Sequence, residues 1–151
     1  MAQHRAEISW KNAGPNFLKG QYSREHTWRF DGGALVAASS SPAVVPPPHS
    51  NPSNVDPEDA YVASLSSCHM LTFLYLAGKQ GFEVQSYEDQ ATGITSRNEH
   101  GATWVSKVIL HPRITYAGER QPTAEELQHL HHQSHEQCFI ANSVKTAVSI
   151  E

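Results

Sequence analysis

Two cysteines carry the most distinctive chemistry in this sequence. Cys68 and Cys138 are the only cysteines among 151 residues, and 70 positions separate them. Small secreted domains that depend on disulfides use more cysteines than this, so a structural framework of disulfides is not indicated. A single cysteine is most often a small buried apolar residue, but its thiolate is also a nucleophile that can be oxidised. Cys68 is therefore either a core residue or a reactive thiol kept in a dry pocket.

Two charged residues could act on such a thiol, Arg24 and Glu58. In the segment 21–30, the alternation of a strand places an aromatic-rich set of side chains on one face: Tyr22, Arg24, His26, Trp28 and Phe30. Because the aromatic face is expected to turn inward, Arg24 should point toward buried surface and Arg29 toward solvent. An inward arginine favours a thiolate over a thiol, and Glu58 could hold that arginine by a bidentate pair.

A long helix with almost no charge is predicted to carry Cys68 at its centre. Asp56 is suited to cap its first turn, Pro57 to occupy its first position, and Gly78 and Gly81 to end it. The helix would contain about 22 residues and be about 33 Å long. A run of this length could also span a membrane, but its serines, histidine and threonine favour a helix buried in a soluble protein without a membrane partner. A sheet or a second copy of the chain must then cover it.

Strands and a second helix are predicted around this helix. The N-terminal third predicts strands with a hairpin turn at residues 31–33, and residues 39–55 hold five of the nine prolines, which predicts an irregular loop, either a lid or a plain connector. Two strand-like stretches follow the helix, around a turn at residues 98–101. A T-x-x-E capping box at Thr123 then opens a second helix whose inner stripe ends at Cys138, and a short strand ends the chain. This order predicts a single α+β domain over residues 1–151.

Composition excludes several classes of protein. A net charge of −4 and the lack of a basic cluster argue against nucleic-acid binding. The N-terminal segment lacks the continuous apolar core of a secretory signal, so the expected compartment is the cytoplasm. With 38% hydrophobic and 17% charged residues, the chain is expected to fold as an ordinary soluble protein around its own hydrophobic core.

The start of the long helix resembles the signature of the OsmC/Ohr family, the osmotically inducible and organic hydroperoxide resistance proteins. The resemblance lies in PEDA at residues 57–60, in ASLSSC at residues 63–68, and in a glutamate ten positions before a cysteine. The order of elements matches over nearly the whole chain. The resemblance implies the OsmC-like fold, in which antiparallel strands pack around a long central buried helix and a second helix, in an intertwined homodimer.

The resemblance also implies thiol peroxidase chemistry on organic hydroperoxides. By this similarity Cys68 is the peroxidatic cysteine, Cys138 the resolving cysteine, Glu58 the acidic partner and Arg24 the site arginine. The Cys68 thiolate would attack the O–O bond, become a sulfenic acid and condense with Cys138 to a disulfide. A dithiol or a lipoylated protein would then reduce the disulfide, and no metal or bound cofactor is required. His69 stands where the family often has phenylalanine, and the direction of its side chain favours a polar residue in a helix interface over a catalytic base.

Helix geometry adds an expectation about the assembly. Ten residues of helix rise by about 15 Å, so Glu58 cannot easily reach Cys68 of the same straight helix. If two such helices pack antiparallel about a two-fold axis, Glu58 of one subunit can approach Cys68 of the other. We therefore expect a homodimer with two equivalent sites at the subunit interface.

Two other interpretations stay open. His131, His135 and Cys138 share one stripe of the second helix, which makes a metal site within residues 131–138 an alternative, whereas His129 and His132 suit a hydrated face. The other interpretation is a non-enzymatic protein of the same fold that binds a small apolar ligand between subunits.

Overall fold

The computed structural model describes all 151 residues as two compact units, residues 1–60 and residues 61–151. The chain passes from the first unit to the second within its long helix. The predicted α+β class is confirmed, because two helices and eight strands in three small sheets make up the fold. The expectation of a single domain over residues 1–151 stays a prediction.

The first unit contains a three-stranded antiparallel sheet in the order β1–β2–β3. Its strands are β1 (Ala6–Ser9), β2 (His26–Phe30) and β3 (Leu35–Ala38). The predicted hairpin at residues 31–33 joins β2 to β3, and Gly33 adopts there a φ of 90°, which glycine accepts without strain. A 3₁₀ turn at Phe17–Lys19 lies between β1 and β2.

The proline-rich loop at residues 39–55 is irregular, as predicted, and is held by hydrogen bonds. Its two ends join, because the Ser39 N–H donates to the Val55 carbonyl at 2.9 Å. In its middle, the Asn51 side chain donates to the Glu25 carboxylate at 2.7 Å. These bonds favour the connector over the lid.

The long predicted helix is α1 (Pro57–Lys79), with 23 residues. Asp56 caps it as expected, since its carboxylate accepts the Asp59 N–H at 2.8 Å. The chain turns away at Gly81, whose φ of 84° is typical of the residue that follows a helix. The predicted start and end of the helix are therefore confirmed.

The second unit contains five strands in two sheets. They are β4 (Glu83–Asp89) with β7 (Pro112–Ala117), and β5 (Thr92–Arg97), β6 (Thr103–Leu110) and β8 (Ala147–Ile150), of which β8 runs parallel to β6. Each strand-like stretch predicted after α1 is thus divided between two sheets. The division falls at Asp89 and His111, where the Asp89 carboxylate accepts the His111 N–H at 2.7 Å in place of a strand partner. The alternation of polar and apolar residues along the sequence does not show where a side chain replaces a strand partner in this way.

α2 (Ala124–Gln137) begins with the predicted capping box. The Thr123 hydroxyl accepts the Glu126 N–H at 3.2 Å, and the Glu126 carboxylate accepts the Thr123 N–H at 2.8 Å. The buried stripe of the helix is the predicted one, and it leads to Cys138: Leu130, His131 and Ser134.

Two hydrophobic clusters lie on either side of the middle of α1. The N-terminal half packs on β6 through three fully buried residues: Leu65, Val108 and Leu110. The C-terminal half packs on α2 and the β4–β7 sheet through a second cluster: Phe73, Leu76, Ala77, Phe82 and Leu130. Cys68 lies between the two clusters along the helix.

α1 is only partly covered within one chain. By length and composition it could cross a membrane, with a mean hydropathy of 1.3 in an 18-residue window of which 28% is buried. The core helix of a soluble protein has the same properties. Leu71 and Tyr75, one turn apart on the same face, are 60% and 61% exposed. The burial on most sides expected from the sequence is therefore not reached in the single chain, which leaves an apolar face of α1 without a partner.

Candidate active site

The two cysteines are neighbours in the second unit. Cys68 lies in the middle of α1 and is half-buried, whereas Cys138 directly follows α2 and is 1% exposed. Both thiols are free, and Cys68 lies close enough to raise the pKa of the Cys138 thiol. The Ala141 N–H donates to Cys138 Sγ, at 3.4 Å. The fold thus brings together the two sulfurs that 70 positions separate in sequence.

The surroundings of Cys138 keep its proton in place. Burial raises the pKa of the Cys138 thiol to about 11, and the neighbouring Cys68 thiol acts in the same direction. The Ala141 N–H opposes this shift by favouring the thiolate. Cys138 is therefore a neutral thiol at neutral pH, and it lies beside Cys68.

Hydrogen bonds hold the segment of α1 around Cys68 in place. The Thr72 hydroxyl donates to the Cys68 carbonyl at 2.9 Å. The Ser66 hydroxyl donates to the carboxylate of Asp89, which also accepts the His111 N–H. α1 is therefore joined to the end of β4 only two residues before Cys68.

A buried pair of histidines links the two helices. His69 Nε2 and His131 Nδ1 are 3.0 Å apart, and the two rings are stacked, with centroids 5.3 Å apart and planes inclined by 13°. Burial lowers the pKa of His69 to about 4, with His131 and His135 adding to the shift, and burial also lowers the pKa of His131. Both rings are thus neutral at neutral pH. The sequence predicts a helix-interface position for each residue but not their pairing, which depends on how α2 packs on α1.

The alternative metal site at residues 131–138 does not form in the structure. No group of three or more His, Cys, Asp or Glu side chains lies close enough to hold a metal ion. One of the three proposed ligands is engaged elsewhere, since His131 is hydrogen-bonded to His69.

Arg24 lies in the first unit, in the segment that leads into β2. Burial alternates as expected as far as Arg29, which is exposed, whereas Phe30, predicted to point inward, is 40% exposed. The half-buried residues are Tyr22, Arg24, His26 and Trp28. The Arg24 guanidinium lies 3.5 Å from the centre of the Tyr22 ring, and Nη1 donates to the Gly20 carbonyl at 3.0 Å and to the Tyr22 carbonyl. The inward arginine therefore has partners of its own. Its assignment as the site arginine stays a prediction.

Glu58 lies in the first turn of α1, and one oxygen of its carboxylate lacks a partner. The buried Oε2 atom accepts no hydrogen bond, and burial raises the pKa of the carboxyl group. No ion pair joins Glu58 to Arg24 within the chain. The bidentate pair expected from the sequence is thus not made in one chain, and Glu58 has an acceptor atom free for another donor.

An apolar groove of about 460 Å³ adjoins Arg24 in the first unit. Three aromatic rings form one side of it, with centroids 5.6 Å apart for Trp10 and Tyr22 and 4.6 Å apart for Phe17 and Tyr22. The sequence does not predict this groove, because Trp10 and Phe17 lie outside the alternating segment and only the tertiary fold brings them to Tyr22.

The sequence of the chain matches one known protein family. A family model described as OsmC-like protein matches residues 50–151. The chain belongs to the OsmC-like family. The matched range includes Glu58, Cys68 and Cys138, whereas Arg24 lies outside it. The family membership predicted from the resemblance at residues 57–68 is confirmed.

Solved structures confirm the OsmC-like fold. An OsmC-like protein of unknown function from Vibrio cholerae is 52% identical in sequence, with a TM-score of 0.97 over 100% of this chain and 99% of that one. An organic hydroperoxide resistance protein OsmC from Legionella pneumophila is 14% identical, with a TM-score of 0.72 over 100% and 98% of the two chains. An organic hydroperoxide resistance protein from Elizabethkingia anophelis is 16% identical, with a TM-score of 0.72 over 100% and 96%. At such low identity the last two share the fold alone. No curated protein matches the sequence.

Proposed function

We propose that this OsmC-like protein is a thiol-dependent peroxidase that reduces organic hydroperoxides. The observation that carries the proposal is the proximity of the two thiols: Cys138 is fully buried and protonated, and the half-buried Cys68 is close enough to raise the pKa of Cys138. The Cys68 sulfur is accessible to a hydroperoxide, and the Cys138 sulfur lies beside it as a protonated thiol. Proteins of the same fold from L. pneumophila and E. anophelis are named organic hydroperoxide resistance proteins, which supports this class of substrate.

The first step oxidises Cys68. Its thiolate attacks the O–O bond of the hydroperoxide ROOH, so that an S–O bond forms and the O–O bond breaks. The alkoxide leaves and takes up a proton to become the alcohol, and Cys68 becomes a sulfenic acid. The peroxide gains two electrons, which the sulfur supplies.

The second step joins the two cysteines. The Cys138 sulfur attacks the sulfur of the sulfenic acid, the disulfide forms, and the hydroxyl leaves with the Cys138 proton as water. A dithiol of the lipoyl type, free or carried on a protein, then reduces the disulfide by thiol–disulfide exchange. No step in this cycle requires a metal or a bound cofactor. We place the protein in the cytoplasm, where reductants keep such a pair of cysteines reduced between cycles.

Arg24 and Glu58 act on Cys68 of a partner subunit in this proposal. Glu58 precedes Cys68 by ten residues on one continuous helix, which is about 15 Å along its axis. The exposed face around Leu71 and Tyr75 offers apolar surface to a second copy of the chain. In a two-fold homodimer, the Glu58 carboxylate would orient the Arg24 guanidinium, and the guanidinium would stabilise the Cys68 thiolate.

The apolar groove beside Arg24 would receive the organic part of the substrate. Its walls include the rings of Trp10, Phe17 and Tyr22, which bind hydrocarbon and aromatic groups by excluding water. This lining favours organic hydroperoxides over hydrogen peroxide, which has no apolar part.

Intact mass spectrometry after one equivalent of cumene hydroperoxide tests the proposal. The unmodified protein should lose two hydrogens as the disulfide forms. The Cys138→Ser variant should instead hold one added oxygen on Cys68, as a sulfenic acid that a carbon nucleophile traps, and Cys68→Ser should do neither. An unchanged thiol count in the unmodified protein would refute the peroxidase proposal and leave the non-enzymatic binding of a small apolar ligand as the better explanation of the groove.

A further inference from the structure

We infer that the His69–His131 pair is a clamp that holds α2 in register on α1 and thereby keeps Cys138 within reach of Cys68. The inference rests on the proposed function and assigns two positioning residues to its second step, the formation of the disulfide. Both histidines act through the helices that carry the cysteines, and neither is required to contact the hydroperoxide.

The clamp is close to both cysteines along the chain. His69 directly follows Cys68 in α1, and His131 precedes Cys138 by seven residues, which is two turns or about 10 Å of helix. The hydrogen bond of 3.0 Å joins two buried side chains, one from each helix. Such a bond is directional, so it fixes both the rotation and the translation of one helix relative to the other.

Within the bounds of the two helices, the histidine clamp is the one side-chain hydrogen bond that joins them, and no ion pair does. A second hydrogen bond, from the Gln80 side chain to Gln133 at 3.2 Å, lies one residue past the end of α1 and far from the cysteines along the helix. The other contacts are apolar, such as the Phe73 ring 4.7 Å from the His131 ring and the shared cluster around Leu130. Apolar contacts have no preferred direction, so they allow small slides that a hydrogen bond resists.

Disulfide formation depends strongly on such small slides. An S–S bond is about 2.05 Å long and requires Cα atoms about 4.4–6.8 Å apart. Because Cys138 directly follows the last residue of α2, a rotation or slide of this helix moves Cys138 Sγ relative to Cys68. The first step needs only Cys68 and the hydroperoxide. Loss of the clamp should therefore slow the second step and spare the first.

The clamp requires at least one neutral ring. A neutral histidine has one donor and one acceptor nitrogen, whereas two protonated rings would face each other as two donors. The titratable groups that face the pair are His135 on α2, which disfavours protonation, and Asp89 at the end of β4, which favours it. Burial dominates and holds the pKa of His69 near 4. The clamp is therefore closed at neutral pH, and it opens only when both rings are protonated.

Replacement of His131 tests the clamp. Phenylalanine keeps a ring against His69 and Phe73 but cannot form the hydrogen bond, whereas asparagine places an amide near the position of Nδ1 and can form it. We expect His131→Phe to form the sulfenic acid within about twofold of the unmodified rate and the disulfide about tenfold more slowly, as for the loss of one buried hydrogen bond. His131→Asn should restore most of the rate of disulfide formation. His132→Phe, an exposed position on the same helix, is the matched control and should change neither step.

The two steps are followed separately. Trapping with a carbon nucleophile reports the sulfenic acid, and the loss of two hydrogens in the intact mass reports the disulfide. Disulfide formation in His131→Phe at the unmodified rate, or an equal slowing of both steps, would overturn the clamp. If His131→Phe does not fold, His69→Phe, which removes the other half of the hydrogen bond, is compared with the unmodified protein by the same two readouts. Slower disulfide formation at an unchanged rate of sulfenic acid formation supports the clamp, and equal rates for both steps overturn it.

Failure of the clamp can be distinguished from failure of the peroxidase proposal. Diamide oxidises two thiols to a disulfide by accepting two electrons and two protons, with no hydroperoxide present. If hydroperoxide leaves the thiols unchanged, the peroxidase proposal fails, but slower diamide-driven disulfide formation in His131→Phe than in His132→Phe would still support the clamp. Equal diamide rates in these two variants would refute it.

Discussion

Burial distinguishes two residues of the same type, Cys68 and Cys138. Burial holds the proton on Cys138, whose pKa is raised to about 11. Cys68 is only half-buried and lies beside that thiol. In the proposed cycle the accessible Cys68 therefore reacts first and the protonated Cys138 second.

Substitution of the two neighbouring arginines should separate their roles. Arg24 is half-buried beside the apolar groove, whereas Arg29 is exposed and offers a matched control. We expect Arg24→Ala to lower the rate of sulfenic acid formation by at least about tenfold, since a charge that stabilises the thiolate is lost. Arg29→Ala should stay within about twofold. The opposite ranking, measured by stopped-flow consumption of cumene hydroperoxide, would assign the site arginine to Arg29.

The buried His69 should make stability depend on pH. Its pKa is about 4 in the folded chain and 6.5 in its ordinary state, so between these values the unfolded chain takes up a proton that the folded chain does not. The contribution of His69 is therefore complete above pH 6.5 and is lost as the pH falls toward 4, by about 3 kcal/mol in total. Urea unfolding at pH 7 and pH 4.5 should show a smaller loss for His69→Gln than for the unmodified protein. An equal loss in both proteins would contradict the prediction.

Local signals along the sequence predict the helices, and tertiary contacts decide the rest. The Asp56 cap and the Thr123 capping box involve residues three positions apart, so both helix starts can be predicted from sequence. The separation of β4 from β5 and of β6 from β7 depends on the bond between Asp89 and His111, which are 22 positions apart. No periodic pattern encodes that bond.

Some features of the candidate site can likewise be predicted from the local sequence, and others depend on the tertiary fold. The position of Cys138 at the end of the inner stripe of α2 follows from helical spacing, and so does the central position of Cys68 in α1. The pairing of His69 with His131 and the aromatic groove beside Arg24 depend on elements distant in sequence. These features therefore appear only in the folded structure.

The close approach of β5 to α1 should make Gly93 difficult to replace. A Cβ atom at this position would lie 2.5 Å from Val62 Cγ2, a side chain of α1. We expect Gly93→Ala to lower the free energy of unfolding by about 1–3 kcal/mol, because strand or helix must shift. Gly32→Ala, with no atom within 4 Å of the new Cβ, is the control and should lie close to the unmodified protein in urea unfolding. A Gly93→Ala variant as stable as this control would show that β5 moves away from α1 at little cost.

At the scale of the whole molecule, one chain leaves its proposed site incomplete. Glu58 has a buried oxygen without a hydrogen bond, and the face of α1 that carries Leu71 and Tyr75 is exposed. A second copy of the chain would cover the apolar face and supply a donor to Glu58. In sedimentation velocity at micromolar concentration we expect a stable dimer, and an active monomer would contradict the two-chain site.

Mixed dimers should reveal whether Glu58 serves the cysteine of the other chain. Cys68→Ser and Glu58→Ala should each be almost inactive alone. If Glu58 acts across a two-fold interface, a dimer with one chain of each kind has one complete site, in which Cys68 comes from the Glu58→Ala chain and Glu58 from the Cys68→Ser chain. Equal amounts of the two chains, unfolded and refolded together, should then recover about a quarter of the unmodified activity, because half of the randomly paired dimers are mixed and each has one working site of two. If Glu58 acts within its own chain, no mixed dimer contains a complete site, and the mixture should be no more active than the separate variants.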